Sequence, residues 1–270
     1  MKDGKETKKL PEDRIVTSHE MWAEMKKKKE LDIKLMSNIP SLDRATDGFV
    51  PGEMISISGP TKCGKTLLAQ TLTHEFTKQN SFPLWFSYEV TPRFFLQAFP
   101  ELPLFYMPRR LKMNAIDWVV KKVLDSFKEF HTRVVFIDHL HYLFDIARTR
   151  NPSIEIGTII RVLKSLAVQH ELIIFLLCHT KKGASEIQQL TYESIRDSSF
   201  VGQESDCVLM IVRNMKQPES NEARLFVEFH RRTGTLHTMI NLIKRGGYLM
   251  ELTHEHFNPD EYIESKKEPA

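Results

Sequence analysis

Eight consecutive residues, Gly59-Pro60-Thr61-Lys62-Cys63-Gly64-Lys65-Thr66, read G-x-x-x-x-G-K-[ST]. The pattern has a mechanism. Backbone N–H groups of such a loop, and of the helix that it opens, converge on phosphate oxygens, and the helix dipole favours the anion. Lys65 then reaches the β- and γ-phosphates, and the Thr66 hydroxyl ligates Mg²⁺. The ligands implied are a nucleoside triphosphate (ATP, dTTP or another NTP) and Mg²⁺. Cys63, inside the loop, reads either as a thiol activated at a helix N-terminus or simply as a small residue where one fits.

Three further positions have the types that phosphate chemistry needs. Val134 to Asp138 is an apolar run ending in a carboxylate, and an acid at the tip of a parallel strand beside the loop can hold Mg²⁺. Leu84 to Glu89 ends the same way. Glu89 can face the γ-phosphate as a general base, or can serve the helix that starts at Thr91-Pro92 as a cap; position alone leaves both standing. Leu176-Leu177-Cys178-His179 puts an imidazole at a third strand end, where it either contacts the γ-phosphate or is a surface histidine.

Positioning these groups requires strands that end together. The strand candidates are Met54–Ser58, Leu84–Tyr88, Leu104–Met107, Val134–Asp138, Ile173–Cys178 and Cys207–Val212. Several are near-continuous apolar runs, as a sheet covered on both faces demands. Helical patterns lie between them at Thr66–Lys78, Thr91–Phe99, Asn114–Phe130 and Glu155–His170. The alternation predicts an α/β fold with a mostly parallel central sheet flanked by helices. After Val212, Arg224–Phe229, Leu236–Leu242 and Tyr248–Leu252 read as an antiparallel meander with a turn at Gly246–Gly247.

Composition sets the class. The 270 residues are 41% hydrophobic and 27% charged, ordinary globular usage, which excludes disordered and collagen-like chains. The central apolar run Leu172–Cys178 is seven residues, far short of a membrane span. Three widely spaced cysteines make neither a disulfide framework nor a zinc site. The net charge of +3 does not by itself report a nucleic-acid surface, which needs clustered cations. Residues 1–34 form a basic arm with ten Lys/Arg against eight Asp/Glu. Within it, Thr17 and Glu20 are spaced as a capping box before a short helix through Met21, Trp22 and Met25. Residues 255–270 form an acidic tail. The N-terminus lacks the apolar core of a secretory signal, so a cytoplasmic location is expected, with an organelle such as the mitochondrion left open.

Taken in order, these motifs resemble one family. Ile39-Pro40-Ser41-Leu42-Asp43-Arg44, Gly48-Phe49, Gly52-Glu53 and the phosphate loop are similar to the opening of RecA-like replicative helicase domains of the DnaB, phage primase-helicase and Twinkle type. Phe86-Ser87-Tyr88-Glu89 resembles the segment with that family's catalytic glutamate, and Ile137 to Leu143 its Walker B segment. Cys178-His179-Thr180-Lys181-Lys182 resembles its γ-phosphate sensor. Ser198 to Asn214, with Asp206 and Arg213, looks like the next strand and its base-contacting arginine. Phe229-His230-Arg231-Arg232-Thr233-Gly234 resembles the motif that lends an arginine finger to a neighbouring subunit; Arg231 is the expected finger, with Arg232 adjacent and Phe229 where the family usually has lysine. The match runs from about residue 35 to 252.

The resemblance implies a RecA-like P-loop ATPase core over residues 35–254 and a ring-forming, usually hexameric, NTP-driven DNA helicase. It would move on single-stranded DNA, open forked duplex DNA, and work with a separate primase or polymerase. DNA-facing loops would lie at 145–155, with Arg148 and Arg150, and at 181–197, with Lys181, Lys182 and Arg196. These loops are poor in aromatics, so their contacts should be phosphate-dominated and salt-sensitive. With no primase or collar segment in this sequence, assembly would rest on the core and the first 34 residues. Two alternatives share the core: a filament-forming recombinase of the RecA/Rad51 type, and a nucleotide-regulated DNA-binding module or loader without motor activity.

Overall fold

In the computed structural model, residues 14–27, 33–143, 152–180, 198–213 and 220–252 are described. The chain divides into two compact units, Met1–Ile33 and Lys34–Ala270. The first contains helix α1 (Ser18–Lys27). Its capping box forms as the spacing predicts: Glu20 N–H donates to Thr17 Oγ1 at 3.1 Å, and Thr17 N–H donates back to Glu20 Oε2 at 3.0 Å. Met21, Trp22 and Met25 are exposed.

The second unit is built on one eight-stranded sheet ordered β2-β3-β4-β1-β5-β6-β7-β8. The first five strands in that order are parallel: β1 (Met54–Ser58), β2 (Leu84–Ser87), β3 (Val134–Asp138), β4 (Ile173–Leu177) and β5 (Cys207–Arg213). The last three, β6 (Glu222–His230), β7 (Thr235–Arg245) and β8 (Tyr248–Glu251), add antiparallel. Gly246 and Gly247, both at positive φ, make the β7–β8 turn. The expected α/β core with its antiparallel meander is therefore the observed one.

Each of β1 to β4 is buried at every residue, which explains why β2 to β4 read as near-continuous apolar runs; in β1 the buried Ser56 hydroxyl is paired with that of Ser205 at 2.7 Å. On one face, Trp85, Phe136 and Phe175 occupy register-matched positions of β2, β3 and β4. Phe136 stacks on Trp85 at 4.6 Å between ring centroids and on Phe175 at 4.6 Å. Against this ladder lies α3 (Lys65–Lys78), through Phe76 at 5.7 Å from Phe175 and a Trp85 Nε1–H bond to Thr73 Oγ1 at 2.9 Å. On the opposite face, Phe86, Ile137 and Leu176 pack with Val119 and Val123 of α5 (Ile116–Phe130) and Ile160 and Leu163 of α6 (Pro152–Gln169).

Three expectations need correction. Leu104–Met107 is not a strand: only Tyr106 makes a β-bridge, to Leu84. Pro103 and Pro108 bracket it, and neither has an N–H for a ladder. Helices α2 (Pro40–Thr46) and α7 (Ser198–Glu204), seven residues each, show no helical period in the residues, and α7 takes the start of the segment expected as a strand from Ser198, leaving the strand to Cys207–Arg213. Helix α4 is confined to Pro92–Gln97.

Phe76 is fully buried and bridges helix to ladder. Phe76→Ala should lower the unfolding free energy by about 3–5 kcal/mol, read from urea denaturation at constant m-value.

Candidate active site

The strand order turns back on either side of β1, so the C-terminal ends of β1 to β4 share one sheet edge, the place where open α/β sheets bind ligands. The loop Gly59–Gly64 leaves β1 there and feeds α3. Gly59 has φ +150° and approaches β5 so closely that a Cβ would fall 2.1 Å from the Ile211 carbonyl oxygen; only glycine permits that approach. Gly64 is the N-cap of α3 at φ +100°, and Cys63 is buried.

Lys65 is buried, and its ammonium donates to the loop's own carbonyls, Gly59 O at 2.9 Å and Pro60 O at 3.0 Å. Burial lowers its pKa, while the nearby Glu89 carboxylate acts in the opposite sense. Thr66 Oγ1–H donates to Asp138 Oδ2 at 2.8 Å, so the two proposed Mg²⁺ ligands already touch. The buried Asp138 carboxyl is pushed up to about 6, chiefly by burial and further by Glu89, against the Thr66 hydrogen bond.

Glu89 follows β2 by two residues, its side chain 39% exposed. The capping role open to it goes to Thr91, whose side chain accepts from Phe94 N–H at the start of α4. His179 follows β4, and its ring stands 4.3 Å from that of His139. Lys65, Thr66, Glu89, Asp138 and His179 all line one cleft of about 470 Å³, with room for a triphosphate and its ion. An all-oxygen pair for Mg²⁺, a lysine reaching across the loop and a helix N-terminus together suit a Mg²⁺–nucleotide complex.

His139 was not singled out by the sequence. Only 8% exposed, it lies beside Glu89 and His179. Its pKa is lowered to about 3, by burial first and then by His179, His141 and Lys65. The available signal was its place immediately after Asp138, but the neighbours come from other strands.

The remaining site expectations spread wider. Arg213 ends β5, donates from Nε to Ser220 O at 3.0 Å, and borders a small hollow on the other side of Lys62 and Gly64. Thr61 and Lys62 line the main cleft. Arg231 and Arg232 follow β6 and have different surroundings. Arg232 is held within its own subunit by Glu53 Oε1 at 2.9 Å, Asp47 Oδ2 at 3.0 Å and the carbonyls of Thr46 and Gly48 at 2.8 Å. Arg231 is exposed, and its guanidinium donates to the Gln203 carbonyl. Arg148, Arg150, Lys181, Lys182 and Arg196 lie outside the described residues.

The raised Asp138 pKa has a definite sign. Between the ordinary value of 3.8 and about 6 the folded chain retains a proton that the unfolded chain has lost, so this carboxyl's contribution to stability falls as pH rises through that window. Asp138→Asn should therefore be more stable than wild type at pH 7, by on the order of 2 kcal/mol, and the difference should vanish below about pH 4, as measured by denaturant melts across pH.

The profile of the DnaB-like helicase C terminal domain matches residues 95–246. A probable replicative DNA helicase of Trieres chinensis is 24% identical over 225 residues, covering 70% of this chain and 49% of that protein. The chain thus spans about half the length of that curated relative. Among solved structures, a DnaB-like replicative helicase, described with its interactions with primase, superposes with a TM-score of 0.73 at 16% identity, covering 89% of this chain and 69% of its own. A solved ATPase domain gives a TM-score of 0.71 at 16% identity, covering 87% of this chain and 97% of its own. At such identity these two structures speak for the fold.

Proposed function

This chain belongs to the DnaB-like helicase C-terminal domain family, and from that premise we propose that it is the NTP-hydrolysing motor of a ring-forming replicative DNA helicase. In this reading residues 35–254 are the motor, 1–34 an arm that docks on a neighbouring subunit, and 255–270 a peripheral tail. The observation that carries it is the convergence of Lys65, Thr66, Glu89, Asp138 and His179 on one cleft at the phosphate loop.

Each residue then has a task. Loop N–H groups and Lys65 hold the β- and γ-phosphates, the ammonium exchanging its two loop carbonyls for phosphate oxygens. Thr66 and Asp138 would hold Mg²⁺, which when bound offsets phosphate charge and orients the triphosphate. Glu89 accepts a proton from water at its carboxylate, and His179 hydrogen-bonds the terminal phosphate. Arg213, beyond the loop, contacts the nucleobase side.

Assembly supplies the last charge. Arg231 reaches the nucleotide of an adjacent subunit, so hydrolysis depends on the ring being formed. The multidentate hold on Arg232 supports Arg231 for this task. Single-stranded DNA passes through the ring along the loops with Arg148, Arg150, Lys181, Lys182 and Arg196, and ATP or a related NTP drives movement and opening of a fork. A separate primase or polymerase is the natural partner. No helix among the described residues is long and apolar enough to cross a membrane.

Forked-duplex unwinding with Mg²⁺–ATP tests the motor. Wild type should separate strands and Lys65→Ala should not; intact DNA-stimulated hydrolysis without unwinding would point to a recombinase or to a helicase lacking its partner, and the loss of both to a DNA-binding module or loader. Glu89→Gln should keep nucleotide affinity within about tenfold while losing hydrolysis by on the order of 10²-fold or more. Arg231→Ala should lose hydrolysis by about 10³-fold in assembled rings while each subunit still binds nucleotide; normal turnover in those rings would remove Arg231 from the finger role.

A further inference from the structure

Beside the oxygen pair of Thr66 and Asp138 lies a second set of donors with different chemistry. Glu89, His139 and His179 each present one ligand atom, and the three atoms lie within 4.8 Å of one another. His139 is more than nine-tenths buried, and its Nδ1 makes no hydrogen bond among the described residues. That nitrogen stands 3.8 Å from Glu89 Oε2. A buried, unsatisfied ring nitrogen is costly and calls for a partner. The chain that folds it there gains no hydrogen bond from it.

We propose that Glu89, His139 and His179 form a binding site for a transition-metal ion of the zinc class, and that filling it arrests nucleotide hydrolysis. Two imidazole nitrogens and one carboxylate oxygen are a donor set that suits Zn²⁺ or Co²⁺ with a fourth position open to water, whereas Mg²⁺ prefers oxygen throughout. A tetrahedral ion with ligands about 2.0–2.1 Å away needs them roughly 3.3 Å apart. The 3.8 Å pair is close to that already. No pair is more than 4.8 Å apart, so closing on an ion takes at most about 1.5 Å of side-chain movement, the scale of small rotations about χ angles.

The arrest rests on the role given above to Glu89. A carboxylate whose lone pair is committed to a metal cannot take a proton from water, and an imidazole bound to the same ion is turned from the terminal phosphate. His139, which has no other assigned task, completes the set. The two ions would be chemically distinct neighbours: His139 Nδ1 is 4.0 Å from Asp138 Oδ1.

The test uses the full chain, stripped with chelator, and titrates Co²⁺ alone while following its visible absorption, then displaces it with Zn²⁺. Wild type should develop the intense bands of a four-coordinate ion. His139→Gln should weaken binding by more than about tenfold, and His139→Cys, which restores a donor, should recover it. NTP hydrolysis in excess Mg²⁺ is then followed against free Zn²⁺, each protein referred to its own zinc-free rate. Wild type should be inhibited, and His139→Gln should need more than about ten times the zinc for the same inhibition. No Co²⁺ binding, or binding that His139→Gln leaves unchanged, overturns the site. Metal that binds through His139 without slowing turnover overturns the arrest, and with it the proton-accepting role of Glu89. Because binding is read by absorption, the site is tested even if the chain does not hydrolyse NTP.

Discussion

The aromatic ladder across β2, β3 and β4 is what holds the catalytic edge in register. Trp85, Phe136 and Phe175 stack in sequence across three parallel strands, and the helix that begins at the phosphate loop is pinned to them through Phe76 and Thr73. Offset aromatic pairs contribute about 0.5–1.5 kcal/mol each beyond their buried area. Their geometric effect matters more here. They fix the distance between a helix N-terminus, which binds anions, and the strand tips, which carry carboxylates and imidazoles.

That rigidity is needed because the edge itself is unfavourable to fold. Lys65, Asp138 and His139 are buried with strained or incomplete partners: the lysine on carbonyls of its own loop, the aspartate between the Thr66 hydroxyl and the Glu89 carboxyl, the Nδ1 of the imidazole on no hydrogen bond among the described residues. Each arrangement costs stability in the protein without ligand. The apolar sheet on both faces supplies the excess that keeps these groups apart and aimed into the cleft. In turn, a charged ligand entering there offers Lys65 phosphate oxygens in place of its own loop's carbonyls and gives the less satisfied groups partners that they lack.

Much of this was legible in the residues. Strands β1 and β3 begin and end where expected, because a strand buried on both faces is mostly apolar and its polar tip marks the sheet edge. The phosphate loop was legible because glycine spacing reports a backbone constraint, met at Gly59 against Ile211. Legibility failed where three-dimensional neighbours decide. Seven-residue helices are too short to show a period. Leu104–Met107 has a strand's composition, yet its flanking prolines leave a single bridge. In the sequence His139 is only one member of the Ile137–Leu143 segment, since nothing local announces that Glu89 and His179 will converge on it. The adjacent Arg231 and Arg232 are alike in sequence; Glu53, Asp47 and the carbonyls around Thr46, nearly two hundred residues upstream, distinguish them.

The lone bridge at Tyr106 has a consequence for solubility. β2 is the outermost strand on its side of the sheet, and an open strand edge invites a strand from another molecule. Here Tyr106 accepts from Trp85 N–H at 2.8 Å and donates to Pro83 O at 2.8 Å, and a proline on either side keeps the segment from offering a ladder of its own. The segment therefore occupies the edge and ends it at once. At high concentration, a sheet that cannot be extended by accident keeps separate molecules from joining edge to edge.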